Sequence, residues 1–130
     1  MRIVISGSRD FDNYEVIESK ILDIIGKLNS NTSGIEIISG GCRGVDKCAE
    51  GFAQKNGFKF TEFPANWSIG KSAGYLRNKQ MAEYASAELN GVLIAFWNMK
   101  SKGTKMMIDL ARRYGLDVYI INLLDMKIYR

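Results

Sequence analysis

Ile35-Glu36-Ile37-Ile38-Ser39-Gly40-Gly41-Cys42-Arg43-Gly44-Val45-Asp46 decides the fold. A β-branched apolar run breaks into paired glycines, and apolar residues then resume at helical spacing with Val45, Ala49, Phe52 and Ala53 until Asn56-Gly57 stops them. That pattern predicts a strand, a tight turn and a helix. Gly40 and Gly41 permit close approach of a ligand to the backbone, and Gly44 permits tight packing one turn on. The first N–H groups of the helix and the positive end of its dipole favour an anion, most often a phosphate. The same residues also suit a helix that needs glycine for its turn and Asp46 as a first-turn charge. The segment alone leaves both readings open.

Working outward, residues 2–6 form a short β-branched strand that empties into Gly7-Ser8-Arg9-Asp10. Asp12 is the expected cap of the next helix, with Glu15 in the capping-box position. Ile17, Ile21, Ile24, Ile25 and Leu28 share one face of it, and residues 29–34 end it. Downstream, residues 58–63 read as a third, more exposed strand, 64–70 as a loop, and 71–85 as a third helix. Residues 91–96 are nearly all apolar, as in a strand buried on both faces. A loop over 97–103 leads to a fourth helix marked by Met107, Leu110, Ala111 and Tyr114; Gly115 caps it, and 118–121 is the last strand. Five strands alternating with four helices predict one α/β domain over residues 1–130, a doubly wound, mainly parallel five-stranded sheet with helices on both faces. Ligands of such sheets sit beyond the carboxyl ends of the strands, where the strand order reverses.

Composition narrows the chemistry. The 130 residues carry a net charge of +4 and are 46% hydrophobic, enough for a real core. The basic residues are scattered, so nucleic acid is a possible partner and not an indicated one. With no histidine and only two cysteines, a histidine triad, a histidine base and a mixed Cys/His zinc site are excluded. No metal or cofactor is expected. The chain shows no long apolar segment or cleavage signal, which leads to the expectation of a cytoplasmic protein with reduced thiols and no membrane partner.

Several loop residues are candidates for ligand contact. Arg9, directly after the first strand, has a rigid fork suited to phosphate, as does Arg43 before the second helix; each can also be read as a solvated charge. Ser101, Gly103 and Thr104 set a hydroxyl and backbone amides at the start of the fourth helix, where capping explains them as well. Trp67 and Trp97 lie on the same edge and offer flat faces to a base, or close the core. Cys42 reads as a small filler.

Taken together, Gly7-Ser8-Arg9-Asp10-Phe11, Ser39-Gly40-Gly41-Cys42-Arg43-Gly44-Val45-Asp46, Phe63-Pro64-Ala65-Asn66-Trp67, Gly70-Lys71-Ser72-Ala73-Gly74, Arg77-Asn78 and Ser101-Lys102-Gly103-Thr104 resemble the SLOG superfamily, most closely its YspA-type branch. The series runs over nearly the whole chain. Relatives include the LONELY GUY phosphoribohydrolases, the single-strand DNA binder DprA and sensors of nucleotide-derived signals. The resemblance implies a Rossmann-like fold and a nucleotide-derived ligand, and it adds Gly7, Ser8, Gly44, Asp46, Lys71, Arg77 and Asn78 to the candidate binding residues. It also suggests a homo-oligomer, with Tyr75, Met81 and Tyr84 as contact residues. In the phosphoribohydrolases Arg77 has a catalytic counterpart, but a glutamate follows their Gly-Thr pair. Here Lys105, Met106 and Met107 follow, and Asp10, Asp46 and Glu62 are the carboxylates left to substitute. The expectation is therefore a sensor or sequestering protein for a small nucleotide-derived molecule. The alternatives are an N-glycosidic hydrolase and a single-stranded DNA-binding module.

Overall fold

The computed structural model describes residues 1–28 and 34–130. Its elements are β1 (Arg2–Gly7), α1 (Tyr14–Lys27), β2 (Glu36–Ser39), α2 (Val45–Asn56), β3 (Lys59–Glu62), a short 3-10 turn (Trp67–Ile69), α3 (Ala73–Ser86), β4 (Val92–Trp97), α4 (Lys102–Arg113), β5 (Asp117–Asn122) and β6 (Lys127–Tyr129). The strands form one six-stranded sheet in the order β3-β2-β1-β4-β5-β6. All neighbours are parallel except β5 and β6. The doubly wound Rossmann-like architecture expected from the alternation of elements is present, with one strand more than the five anticipated. Among the described residues no helix is long and apolar enough to cross a membrane.

Alternation along the central strands builds the two layers. Ile3, Ile5, Ile94 and Phe96 point to one face, where they meet Ile17, Ile21 and Ile24 of α1 and Ala49 and Phe52 of α2. Val4, Leu93 and Ala95 point to the other, against Met81, Ala82 and Ala85 of α3 and Met107, Leu110 and Ala111 of α4. Burial on both sides is why β4 and the centre of β1, Ile3 to Ile5, are apolar without alternation.

Three expectations shift. The cap of α1 is Asn13, whose Oδ1 accepts from Val16 N at 3.3 Å, one residue beyond Asp12. The stop assigned to residues 29–34 lies outside the described residues except for Gly34. The unanticipated β6 follows a turn built without glycine or proline: Asn122 Oδ1 accepts from Leu124 N and Asp125 Oδ1 from Lys127 N, while Met126 takes φ 59°. Of the three residues offered for a homo-oligomer contact, Met81 is buried in the core and Tyr84 packs partly into it, leaving Tyr75 as the exposed one.

Tyr84 belongs to a polar cluster at the opposite end of the sheet from the loops described above. Its Oη donates to Glu36 Oε2 at 2.6 Å, Thr61 Oγ1 donates to the same oxygen, and Arg2 and Lys59 lie 3.5 and 3.8 Å from Oε1. The Arg2 guanidinium also stacks 3.7 Å from the Tyr84 ring centroid. Burial raises the Glu36 carboxyl, but the two hydroxyl donors and the two cations outweigh it and hold the group below its ordinary value. The stability this confers is present above the ordinary glutamate range and is lost as pH falls through the lowered value. Glu36→Gln should cost about 2–4 kcal/mol in urea unfolding at neutral pH, with a gap to wild type that narrows in acid. Tyr84→Phe should cost about 1 kcal/mol.

Candidate functional site

Strand order reverses between β1 and β4, so the loops leaving their carboxyl ends diverge and open a cleft. It has two adjoining lobes, of about 330 and 640 Å3. Arg9, Cys42, Trp67 and Arg77 line both and form the junction. Gly40, Gly41 and Arg43 belong to the small lobe; Gly7, Ser8, Asp46, Lys71, Asn78, Ser101, Gly103 and Thr104 belong to the large one. Thus fourteen of the sixteen candidate residues converge on one cavity.

The remaining two lie elsewhere. Gly44 caps α2 with φ 79° and packs against the Ser8 and Arg9 carbonyls, joining the two loops. Trp97 ends β4, packs against the α3–α4 layer and donates from Nε1 to Ser101 O at 3.0 Å. Its ring buttresses the loop and presents no face to the cleft.

Arg77 is the centre of the arrangement. It rises from α3, is 9% exposed, and donates from Nη1 to Gly40 O at 2.9 Å and from Nε to Asn78 Oδ1 at 2.9 Å. Asn78 in turn donates to Gly103 O, tying α3 to the start of α4. A side chain at position 40 would overlap the Arg77 guanidinium, so Gly40 is a seat for that arginine. Gly41, at φ 76°, likewise leaves room for the Glu62 carboxylate leaning over it.

At the start of α2 several amides find acceptors within the protein. Cys42 N donates to Asp46 Oδ2 at 3.2 Å, Gly41 N to Ser39 Oγ at 3.3 Å and Val45 N to Ser8 O at 3.3 Å. These amides are satisfied inside the protein. At α4, Ser101 Oγ accepts from Thr104 N and serves as the cap, whereas Gly103 faces open space.

Asp46 is 6% exposed and lines the large lobe. Burial pushes its carboxyl up to about 6, with the Glu62 charge adding to the rise; the Cys42 N–H, Arg77 and Arg9 oppose it without cancelling it. Arg9 reaches the Trp67 indole, 5.7 Å from guanidinium carbon to ring centroid, and that indole is 55% exposed. Arg43 instead pairs at the surface with Asp10 at 3.3 Å.

Some lining residues were not singled out as ligand contacts by the sequence. Glu62 was weighed only as a substitute carboxylate and Cys42 only as filler, yet Glu62 faces the small lobe and Cys42 stands at the junction, its Sγ 3.8 Å from Arg77 Nη1. Asn98, Lys100, Tyr75 and Met106 also line the large lobe, with Ser6, Asp10 and Gly74. The available signal was position: Glu62 ends a parallel strand and Asn98 follows one, on the side where the cleft opens.

Residues 1–70 match the model of the YspA, cpYpsA-related SLOG family. The Gene 61 protein of Mycobacterium phage D29 is 32% identical over 123 residues, which cover 90% of this chain and 93% of that protein. Among solved structures, DNA processing protein A (DprA) from Streptococcus pneumoniae aligns with a TM-score of 0.71 at 19% identity, over 95% of this chain and 52% of that one. The chain therefore spans about half the length of that neighbour, and the likeness is one of fold. The family model covers more than half of the sequence and the phage protein matches along most of it; the chain belongs to the YspA, cpYpsA-related SLOG family.

Proposed function

We propose that this protein binds a nucleotide-derived small molecule in the two-lobed cleft, as a sensor or sequestering protein. The observation that carries the reading is the junction, where two guanidinium groups, Arg9 and Arg77, stand beside an exposed indole. Guanidinium forks suit phosphate oxygens, and a flat apolar face suits a base. Calorimetry with a panel of mono-, di- and dinucleotides should show binding, and Arg9→Ala should weaken it about 10- to 100-fold. Heat signals absent across the whole panel overturn the proposal.

The structural neighbour is named for DNA processing, which makes single-stranded DNA the competing ligand. Tracking a strand calls for several stacking rings along a basic groove. With Trp97 turned into the protein, Trp67 is the tryptophan left to stack, which favours one compact ligand. If an oligothymidylate binds at micromolar concentration with a steep salt dependence and no small nucleotide displaces it, DNA is the ligand.

Binding without turnover is the expected behaviour toward ordinary nucleoside monophosphates. Cleavage of an N-glycosidic bond needs a carboxylate or its equivalent at the reacting centre, and Lys105, Met106 and Met107 follow the Gly103-Thr104 pair where the resembling hydrolases carry acid. AMP incubated with the protein should release no free adenine by chromatography. Rapid adenine release that is lost in Arg77→Ala makes the protein an enzyme.

A further inference from the structure

Asp46 is an unusual group to find in the wall of a cleft expected to hold an anion. Its carboxylate is buried and has one backbone donor, Cys42 N on Oδ2. Arg77 directs Nη1 and Nε to Gly40 O and Asn78 Oδ1, so its hydrogen bonds go elsewhere. Arg9 leans toward Trp67. Among the described residues no cation comes within 4.0 Å of Asp46. Yet both guanidiniums border the same lobe, and a methyl built on Gly40 would lie 3.0 Å from Asp46 Oδ2 while overlapping Arg77 Nη1. Carboxylate and guanidinium thus flank one glycine, and an anion held by Arg77 and Arg9 lies next to Asp46.

We infer that Asp46 takes up a proton as an anion enters the cleft and then donates a hydrogen bond to it, an inference that rests on the binding reading above. Two like charges in a largely desolvated wall repel, and the anion draws on the same arginines whose field keeps Asp46 ionised. Protonation removes the repulsion and turns an acceptor into a donor. The proton comes from solvent and returns there when the ligand leaves. The group starts at about 6, so neutral pH lies within reach of a modest upward shift.

Other charged groups facing this space are Arg77 from α3, Arg9 and Asp10 from the β1–α1 loop, Glu62 at the end of β3, and Lys71 and Lys100 along the lobe. Glu62 and Asp10 are the other carboxylates and each requires its own control; Asp10→Asn should keep the wild-type slope.

The sign follows from linkage. The liganded form holds the proton to higher pH than the free form, so affinity rises as pH falls between the two values and levels off below the lower one. Inorganic sulfate is a suitable probe because its charge does not change over this range. Wild-type protein should bind sulfate about fivefold or more tightly at pH 6 than at pH 8, by at most tenfold per pH unit for one proton. Calorimetry in buffers of different ionisation enthalpy should show net proton uptake on sulfate binding between pH 6 and 8, about half a proton at its peak for a rise of about one unit. Asp46→Asn keeps an oxygen for Cys42 N and supplies an N–H donor, so it should bind sulfate independently of pH and more tightly than wild type at pH 8. Glu62→Gln should keep the wild-type slope.

Sulfate binding with no pH slope, or a slope that survives in Asp46→Asn, overturns the inference and leaves the anion site standing. No sulfate binding to wild type at any pH removes the anion site and the inference together. If Asp46→Asn does not fold, the carboxyl carbon-13 resonance of Asp46 in wild type decides: its titration midpoint should move up on adding sulfate, and a midpoint that stays in place overturns the inference.

Discussion

A single buried cation organises the ligand edge of this protein. Arg77 leaves α3, crosses beneath the β2–α2 loop and donates to a carbonyl 37 residues away in sequence. Burying a guanidinium is costly unless its donors find acceptors, and here a backbone oxygen and the neighbouring Asn78 amide meet that need. Because Gly40 has no side chain, the guanidinium lies directly on the turn. At this end of the sheet the contact ties α3 to the turn between β2 and α2. Through Asn78 and Gly103 O the same contact extends to α4, on the far side of the cleft.

That arrangement changes what the glycine-rich turn is for. In the usual anion-binding version the helix start leaves its amides free and a phosphate completes them. Here the Asp46 carboxylate and the Ser8 carbonyl already accept from Cys42 and Val45, so the protein supplies its own anion to the helix dipole. The guanidinium groups that face the cleft stand instead at the junction of the lobes.

Much of this was legible in the sequence. Periodicity separated strands from helices, and doubly buried β4 announced itself as a nearly continuous apolar run. The ends of parallel strands located the loops, and the ordered motifs located most of the cleft wall. What escaped notice has physical reasons. The β6 hairpin turns on Asn122, Asp125 and a positive-φ methionine, without the glycine or proline that marks a turn in sequence, and its last strand is only three residues long. Trp97 sits on the right loop, but the direction of its ring is set by Ser101 O and the α4 layer, which only tertiary packing reveals. Glu62 gave no motif because its role comes from the space above Gly41, a residue far from it in sequence.

The two margins of the sheet are finished in different ways, and this limits how the molecule can meet others. On one side β6 offers just three residues, Lys127 to Tyr129, and runs against its neighbour. On the other, β3 is four residues long and carries Lys59, a charged side chain 69% exposed. Short, charged margins make poor templates for an incoming strand. Self-association by continuing the sheet is therefore disfavoured at both margins, and surfaces for encounter are left to the helical layers and to the mouth of the cleft.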